Sequence, residues 1–250
     1  MPFQPRYVSI DGAKSVHGTA VVLDVLRAYT TAAWALAIGA ECIVLTDDIE
    51  EALALKARIP GSLAMKDSKP LPGFELSNSP IELQDHDLTG LKIVQRTTHG
   101  TVGTVAAYRA GVHSLYCASF LNAAATADAI RRSGVDEAYF VITGEDGKAD
   151  EDQACAEYIA ALVALSPSPP AGMGLGEGVD PAPYLARVAA SNQARIHAER
   201  VASHTPGMHA RDVEAAMDAN RFDFVMIARE ERLDGAGPVL VLRAYNRRDD

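Results

Sequence analysis

The fold is decided by residues 19–45, which read TAVVLDVLRAYTTAAWALAIGAECIVL. They open with a short β-branched apolar run, residues 19–23, that predicts a buried strand. Residues 30–38 predict a helix, because the Ala-rich stretch stops at Gly39, a residue suited to the left-handed conformation that closes helices. The apolar run at residues 42–45 predicts a second strand. Strand, helix and strand in this order indicate a βαβ unit with a right-handed crossover.

The same alternation continues to residue 165. Asp47 and Glu50 form a D-x-x-E capping pattern, and apolar residues follow them at helical spacing. Further strands are predicted at residues 91–95, 115–118 and 138–143, and further helices at residues 101–110, 122–132 and 151–165. This alternation predicts an α/β fold: a mostly parallel sheet with helices on both faces, built from βαβ units. Ligands of such sheets bind where loops leave the carboxyl ends of the strands.

The chain changes character at residues 166–178, SPSPPAGMGLGEG, where Pro and Gly remove all periodicity. We interpret this stretch as a linker or a long surface loop. Asp180 and Pro181 then predict the start of a helix that runs to about residue 202. Later strands are predicted at residues 222–228 and 239–242. These features predict a single α/β domain over residues 1–250, with the part after residue 166 packed on the same sheet.

Composition disfavours several classes of protein. The 250 residues carry a formal net charge of -10 and no Lys/Arg cluster, so a nucleic-acid partner is not expected. The cysteines at positions 42, 117 and 155 form no C-x-x-C pair, which argues against a zinc site or a disulfide framework. No basic-then-apolar leader opens the chain, and the longest apolar stretch, residues 32–40, is too short to span a bilayer. We therefore expect a cytoplasmic protein without a membrane partner. A homo-oligomer is compatible with the composition.

The first candidate site follows the first strand. Asp24 could hold a divalent cation or attack a phosphoryl group, and Arg27 offers a planar fork suited to phosphate or sulfonate. Thr30 and Thr31 add hydroxyls at a helix N-terminus, where anions bind readily. The alternative is a capped helix with a surface ion pair.

A second candidate is the TTHGT stretch between a strand and a helix. Its hydroxyls, glycine and free backbone amides suit a tetrahedral oxyanion. It is neither a Walker loop nor a dinucleotide fingerprint, because the G-K-[ST] and G-x-G-x-x-G patterns are absent. A plain capped turn would have a similar composition. The residues of this candidate are Thr97, Thr98, His99, Gly100 and Thr101.

A third candidate is the loop GFELSNSP, residues 73–80. Glu75 could ligate a metal or act as a base, and Asn78 and Ser79 could contact a substrate. Turn chemistry explains the same residue types without any function.

The acidic segment EDGKADED, residues 145–152, follows the strand at residues 138–143. Paired carboxylates suit Mg²⁺, which prefers hard oxygen ligands. Most of these acids are expected to cap the next helix. We expect Glu151 and Asp152 to be the exceptions and to bind metal together with Asp24.

Taken in order, these segments resemble those of one family. They read DVLRAYTTAAWALAIGA, DDIEEALALK, GFELSNSP, TTHGT, SFLNAAATADAI and an acidic ED before a helix. Over residues 24–165 this order resembles the 2-phosphosulfolactate phosphatase family, whose members convert 2-phospho-3-sulfolactate to 3-sulfolactate with Mg²⁺. The resemblance implies an α/β fold, a small phosphate ester as substrate and Mg²⁺ as cofactor. It also implies catalytic roles for Asp24, Arg27 and Glu75, and adds Asn122 to the substrate contacts.

Three features depart from the family pattern. The arginine expected ahead of GFELSNSP is absent from AMKDSK, residues 64–69, where Lys66 or Lys69 could supply its charge. Glu75 replaces the family's Asp, and His99 replaces the Asn of TTNGT. All three concern expected substrate contacts.

Two functions from different classes are compatible with the sequence. The first is Mg²⁺-dependent hydrolysis of a small anionic phosphate ester, in which Asp24 is either a metal ligand or a nucleophile. The second is a non-catalytic anion-binding or regulatory relative on the same scaffold. A nucleotide-binding redox enzyme is disfavoured because no cofactor fingerprint is present. We favour the phosphatase, and we expect Asp24, Arg27, Thr98 and Glu75 to converge on one cleft.

Overall fold

Ten strands form one sheet in the computed structural model, which describes residues 2–165 and 178–246. In chain order they are β1 (Gln4–Val8), β2 (Thr19–Leu23), β3 (Cys42–Leu45), β4 (Leu63–Lys66), β5 (Leu76–Ser77), β6 (Lys92–Arg96), β7 (Ser114–Ala118), β8 (Glu137–Ile142), β9 (Phe224–Leu233) and β10 (Gly237–Asn246). The order across the sheet is β1-β8-β2-β7-β9-β10-β3-β6-β4-β5.

The α-helices of the described residues connect and cover these strands. They are α1 (Ile10–Ala13), α2 (Ala28–Ala37), α3 (Ile49–Arg58), α4 (Gly100–Arg109), α5 (Ala123–Ser133), α6 (Asp150–Ala164), α7 (Ala182–Ala190), α8 (Asn192–Ala202) and α9 (Asp212–Ala216). Among them, none combines the length and the apolar character that a bilayer crossing requires.

The sheet consists of two parallel blocks joined by an antiparallel hairpin. The first parallel block is β1-β8-β2-β7, and the second is β3-β6-β4-β5. Strands β9 and β10 pair antiparallel with each other and with β7 and β3, so three reversals separate the blocks. The two blocks therefore run in opposite directions, although each is parallel within itself.

Helices α2 and α4 lie against both blocks at once. Helix α2 contacts β3, β7 and β10, and α4 contacts β2, β3, β6 and β7. The sheet must therefore bend around these two helices. As a result, the carboxyl ends of β2 and β6 meet: the Gln95 side chain donates to the Ala28 carbonyl oxygen at 3.2 Å, and Tyr29 donates to the Gly100 carbonyl oxygen at 2.9 Å.

The other faces of the sheet are covered separately. Helices α5 and α6 pack on the first block, and α3 packs on the second. Helix α2 is apolar and buried over most of its circumference, as expected for an element enclosed by the sheet. Helix α3 instead buries only one stripe, around Ala52 and Leu55.

The predicted α/β class with a mostly parallel sheet is confirmed. Two local predictions are wrong. The helix expected from residue 180 to residue 202 is two helices, because Ser191 takes an extended conformation and its side chain caps α8 by accepting from the Ala194 amide. The cap of α3 is Asp48, which accepts from the Glu51 amide at 2.7 Å, rather than Asp47. The predicted loop at residues 166–178 lies outside the described residues except for Gly178.

Candidate active site

A cavity of about 210 Å³ lies where several strands of the sheet end. Asp24 follows β2, Asp67 follows β4, Asn78 follows β5, and Thr98 lies two residues beyond β6. One face of α8 closes the cavity from the side. The complete lining is Asp24, Leu26, Arg27, Asp67, Ser68, Asn78, Thr98, His99, Gln193, Ile196, His197, Arg200 and Met208.

Asp24 is buried at the base of this cavity, with 9% of its surface exposed. Its Oδ1 atom accepts a hydrogen bond of 2.8 Å from the Ala28 amide. Burial raises the pKa of Asp24 to about 6, although the Ala28 amide and the nearby His99 favour the charged form. A Cβ atom on Gly100 would stand 2.8 Å from Asp24 Oδ2, so the glycine of TTHGT is what lets α4 approach this carboxylate.

Besides Asp24, two residues at the cavity have a buried side-chain oxygen that accepts no hydrogen bond within the described part of the chain. Asp67 accepts from the Thr98 amide through Oδ2 at 2.9 Å, whereas its buried Oδ1 atom accepts no hydrogen bond and lies 4.0 Å from Arg96 Nη1 in an ion pair. Asn78 is 4% exposed, and its Oδ1 atom accepts no such hydrogen bond either. Buried polar atoms of this kind call for a partner. Asp24, Asp67 and Asn78 thus bring hard oxygen donors to one cavity.

Arg27 reaches the cavity but is not a free cation. Its Nη1 atom donates to Asp212 Oδ2 in a buried ion pair and to the Gly207 carbonyl oxygen at 3.0 Å. Asp212, in turn, accepts from Ser79 Oγ at 2.7 Å and from the His209 amide at 3.0 Å. The expected open fork for an anion is therefore corrected: Arg27 fastens α9 and its preceding loop to the site.

The TTHGT stretch divides into a structural and an exposed part. The Thr97 and Thr101 hydroxyls each accept from the other residue's amide, at 3.1 and 2.9 Å, and both side chains are buried. Thr98 and His99 line the cavity. The capped-turn interpretation holds for Thr97 and Thr101, while Thr98 and His99 are placed to meet a ligand.

Four other predicted contacts do not line this cavity. Thr30 donates to the Val25 carbonyl oxygen at 2.8 Å, and Thr31 is fully buried in α2. Asn122 accepts from the Ser119 amide at 3.0 Å and thereby fixes the turn before α5. The fourth is Ser79, held by Asp212.

Glu75 lies outside the cavity as well. It pairs with Lys56 and accepts from the Ala64 amide at 3.0 Å, in a separate pocket shared with Phe74 and Gly207. The predicted convergence therefore holds for Asp24, Arg27 and Thr98 and is wrong for Glu75.

The acids at the start of α6 are buried behind the cavity and do not line it. Asp152 accepts from the Val25 amide at 2.8 Å, the Gly144 amide at 3.2 Å and the Thr143 amide at 3.3 Å, which ties β2 to β8. The Asp152 carboxylate is thus committed to the backbone, and the metal role of Glu151 and Asp152 stays a prediction for two acids that do not line the cavity. Within residues 2–165 and 178–246, no three His, Cys, Asp or Glu side chains form a ready-made metal centre.

Glu151 gives a pH-dependent contribution to stability. Burial, with the charges of Asp24 and Glu145, raises the pKa of Glu151 to about 7 from an ordinary 4.5. Between these values the folded state holds a proton that the unfolded chain releases, so stability falls as the pH rises through this window. We expect wild type to lose a few kcal/mol relative to Glu151→Gln between about pH 4.5 and about pH 7.

Urea unfolding of both proteins across this pH range measures the difference. The exposed Glu50, replaced by Gln, serves as the control and should show no such trend. A wild-type minus Glu151→Gln difference that stays constant with pH would contradict the assignment.

Helix α8 supplies residues that sequence reasoning missed. Gln193, Ile196, His197 and Arg200 all line the cavity, and their spacing of three, four and seven residues places them on one helix face. His197 Nε2 donates to the His209 carbonyl oxygen at 2.9 Å. Burial lowers the pKa of His197, which favours the neutral ring with Nδ1 as its acceptor. The signal that could have identified these residues in the sequence is their helical spacing, which puts them on one face of the predicted helix.

The lining of the cavity defines the class of protein. The positive end of the α4 dipole suits an oxyanion, and the oxygens of Asp24 and Asp67 suit a divalent cation. The chain is an α/β protein with a polar cavity at the ends of its strands. More particularly, it belongs to the 2-phosphosulpholactate phosphatase family, since a sequence model of that family matches residues 7–231.

Curated relatives agree with this assignment. The chain is 32% identical over 145 residues to a probable 2-phosphosulfolactate phosphatase of Bacillus subtilis, covering 57% of this chain and 63% of the relative. It is 42% identical over 147 residues to a protein of the same description from Carboxydothermus hydrogenoformans, covering 58% and 60%. A third, from Thermus thermophilus, is 35% identical over 160 residues, covering 62% and 67%. The matched segment thus spans about three fifths of the first two relatives' length.

Proposed function

We propose that this protein is a Mg²⁺-dependent phosphatase that hydrolyses 2-phospho-3-sulfolactate to 3-sulfolactate and phosphate. Family membership supports the reaction class. The observation that carries the proposal is the set of oxygens from Asp24, Asp67 and Asn78 in one cavity beside the N-terminus of α4. In the overall reaction, water adds to phosphorus, the bond from phosphorus to the C2 oxygen breaks, and that oxygen takes up a proton.

Magnesium fits the donors of this cavity. Mg²⁺ binds through one or two carboxylates, keeps several waters and accepts phosphate oxygens of the substrate. Asp24 would hold it together with the Asp67 and Asn78 oxygens that accept no hydrogen bond within the described residues. When bound, the cation polarises the phosphoryl group and neutralises charge that develops on it.

The protein's own groups orient the phosphoryl group. The positive end of α4 attracts its oxygens, and the Thr98 hydroxyl adds a donor at the same helix end. Preorganised donors of this kind favour the charge distribution of phosphoryl transfer. Burial of Asp24 under α4 excludes bulk water from one side of the ligand.

Two histidines are placed to move protons. His197 uses Nε2 on the His209 carbonyl oxygen, which leaves Nδ1 to accept a proton. His99 lines the same cavity near Asp24 and can donate to the departing C2 oxygen. The substitution of histidine for the family's asparagine thus adds a titratable donor at this position.

Phosphate release tests the proposal directly. The substrates are 2-phospho-3-sulfolactate, 2-phospholactate and a simple alkyl phosphate, each with Mg²⁺ and with EDTA. We expect turnover of the sulfonated substrate that stops in EDTA and returns with excess Mg²⁺. Full activity in EDTA would overturn the metal assignment. Tight binding of sulfolactate without turnover of any ester would favour the non-catalytic anion-binding alternative.

A further inference from the structure

The cavity contains an arginine with no partner among the described residues of the chain. Arg200 lines it from the last turn of α8, and its guanidinium makes no ion pair or hydrogen bond with any described residue. Its side chain is solvent-exposed at the mouth, whereas Arg27 is buried deeper beside Asp212. An arginine held at a cavity mouth without a partner is available to a ligand.

The other cations at the site are already engaged. Arg27 is neutralised by Asp212, and Lys66 Nζ donates to the Lys69 carbonyl oxygen at 2.7 Å. Arg200 is the arginine of the cavity lining whose charge is not matched by an acid among the described residues.

Arg200 lies on a different element of the fold from the residues that we expect to bind the phosphoryl group. Asp24, Asp67 and Thr98 lie at the strand ends, and the Asp67 carboxylate accepts the Thr98 amide. Arg200 lies on α8, one helical turn beyond His197 and two turns beyond Gln193. A ligand that spans the cavity would meet the strand ends at one side and Arg200 at the other.

We propose that Arg200 determines specificity by binding the oxyanion of the substrate that is not transferred, a sulfonate or a carboxylate. This inference rests on the proposed phosphatase function and extends it to substrate choice. The planar guanidinium donates two parallel hydrogen bonds to such a group. The contact is the same in the ground and transition states, so it changes KM rather than kcat.

Steady-state kinetics of Arg200→Gln test the inference. We expect KM for 2-phospho-3-sulfolactate to rise about 10- to 100-fold with kcat nearly unchanged. A simple alkyl phosphate, which lacks a second oxyanion, should show no change in KM. If KM for 2-phospholactate also rises, Arg200 binds the carboxylate. If the increase is confined to the sulfonated ester, Arg200 binds the sulfonate. Both outcomes support Arg200 as the residue that binds the oxyanion that is not transferred. Equal KM increases for all three esters, or none, would overturn the inference.

Matched variants and a binding assay complete the test. Arg195 lies on the same helix, pairs with Glu199 and does not line the cavity, so Arg195→Gln should change none of these constants. Calorimetric titration with sulfolactate and with inorganic phosphate needs no turnover. If no ester is hydrolysed but Arg200→Gln still weakens sulfolactate binding selectively, the phosphatase fails and the Arg200 contact stands. If turnover is normal and sulfolactate binding is unaffected, the Arg200 contact fails alone.

Discussion

Phosphate release by the Asp24→Asn variant is expected to fall about a hundred-fold or more below that of wild type. Asp24 is the more buried of the two acids that line the cavity, and it lies against Gly100 at the N-terminus of α4. A neutral amide cannot neutralise a dication and cannot act as a nucleophile. The loss is therefore expected whether Asp24 binds metal or attacks phosphorus.

The stability of the Asp24→Asn variant should be equal to or higher than that of wild type. Burial raises the pKa of Asp24, which means that the folded protein disfavours its charged form. An asparagine keeps the Oδ1 acceptor for the Ala28 amide, so the start of α2 is preserved. An unchanged or higher Tm together with lost turnover would identify a carboxylate that the fold tolerates for its chemistry.

Asp47 offers the matched control. It also follows a parallel strand, β3, but it pairs with Arg109 at 2.6 Å in a groove away from the site. Asp47→Asn should retain wild-type turnover. Titration with Mn²⁺, followed by electron paramagnetic resonance, would show whether Asp24→Asn also loses metal affinity. An Asp24→Asn protein with wild-type activity would remove Asp24 from the mechanism.

The local sequence pattern was sufficient to predict those strands and helices whose bounds depend on their own residues alone. Strands β2 and β3 occupy the predicted residues 19–23 and 42–45, because short apolar runs bounded by polar residues form strands buried on both faces. Helix α8 shows the limit of this reasoning. Ser191 is both the end of α7 and the cap of α8, and apolar periodicity on either side concealed the break.

Strand direction could not be obtained from local pattern. Strands β9 and β10 were predicted as strands, but their insertion between β7 and β3 depends on pairings between distant parts of the chain, such as Tyr116 with Ile227 and Val44 with Val241. That insertion reverses the second parallel block. Periodicity within a strand specifies which face is buried, and it carries no information about the neighbour.

The contrast between local pattern and long-range pairing also explains which residues of the candidate site could be predicted. Asn78 follows β5 and reaches the cavity, whereas Glu75 precedes β5 and lies at the other end of that strand. Ligands bind at the carboxyl ends of strands, so once the bounds of β5 are known, Asn78 is expected at the site and Glu75 is not. The pairing of Arg27 with Asp212 joins residues on distant parts of the chain, and neither has a local signal for it.

Replacement of Asp212 is expected to destabilise the fold more than any other single change considered. Asp212 is fully buried and pairs with Arg27, whose side chain is 5% exposed. Removing one member of a buried ion pair leaves the other charge without compensation, which costs about 3–5 kcal/mol. Asp212→Ala would also release Ser79 and the His209 amide, so the loops around the cavity should loosen together.

A double-mutant cycle separates the ion pair from the general loss of packing. Arg27→Met, Asp212→Ala and the double variant are compared by urea unfolding, and the double variant should lose less stability than the sum of the two single losses by at least about 1 kcal/mol. The exposed pair Arg221 and Asp218 provides the control, because Asp218→Ala removes a solvent-screened contact and should change stability by less than about 1 kcal/mol. Additive losses at Arg27 and Asp212 would mean that the two side chains act independently. Coupling, by contrast, would establish that Arg27 and Asp212 stabilise the fold as a pair, with Arg27 held against α9 at the edge of the cavity.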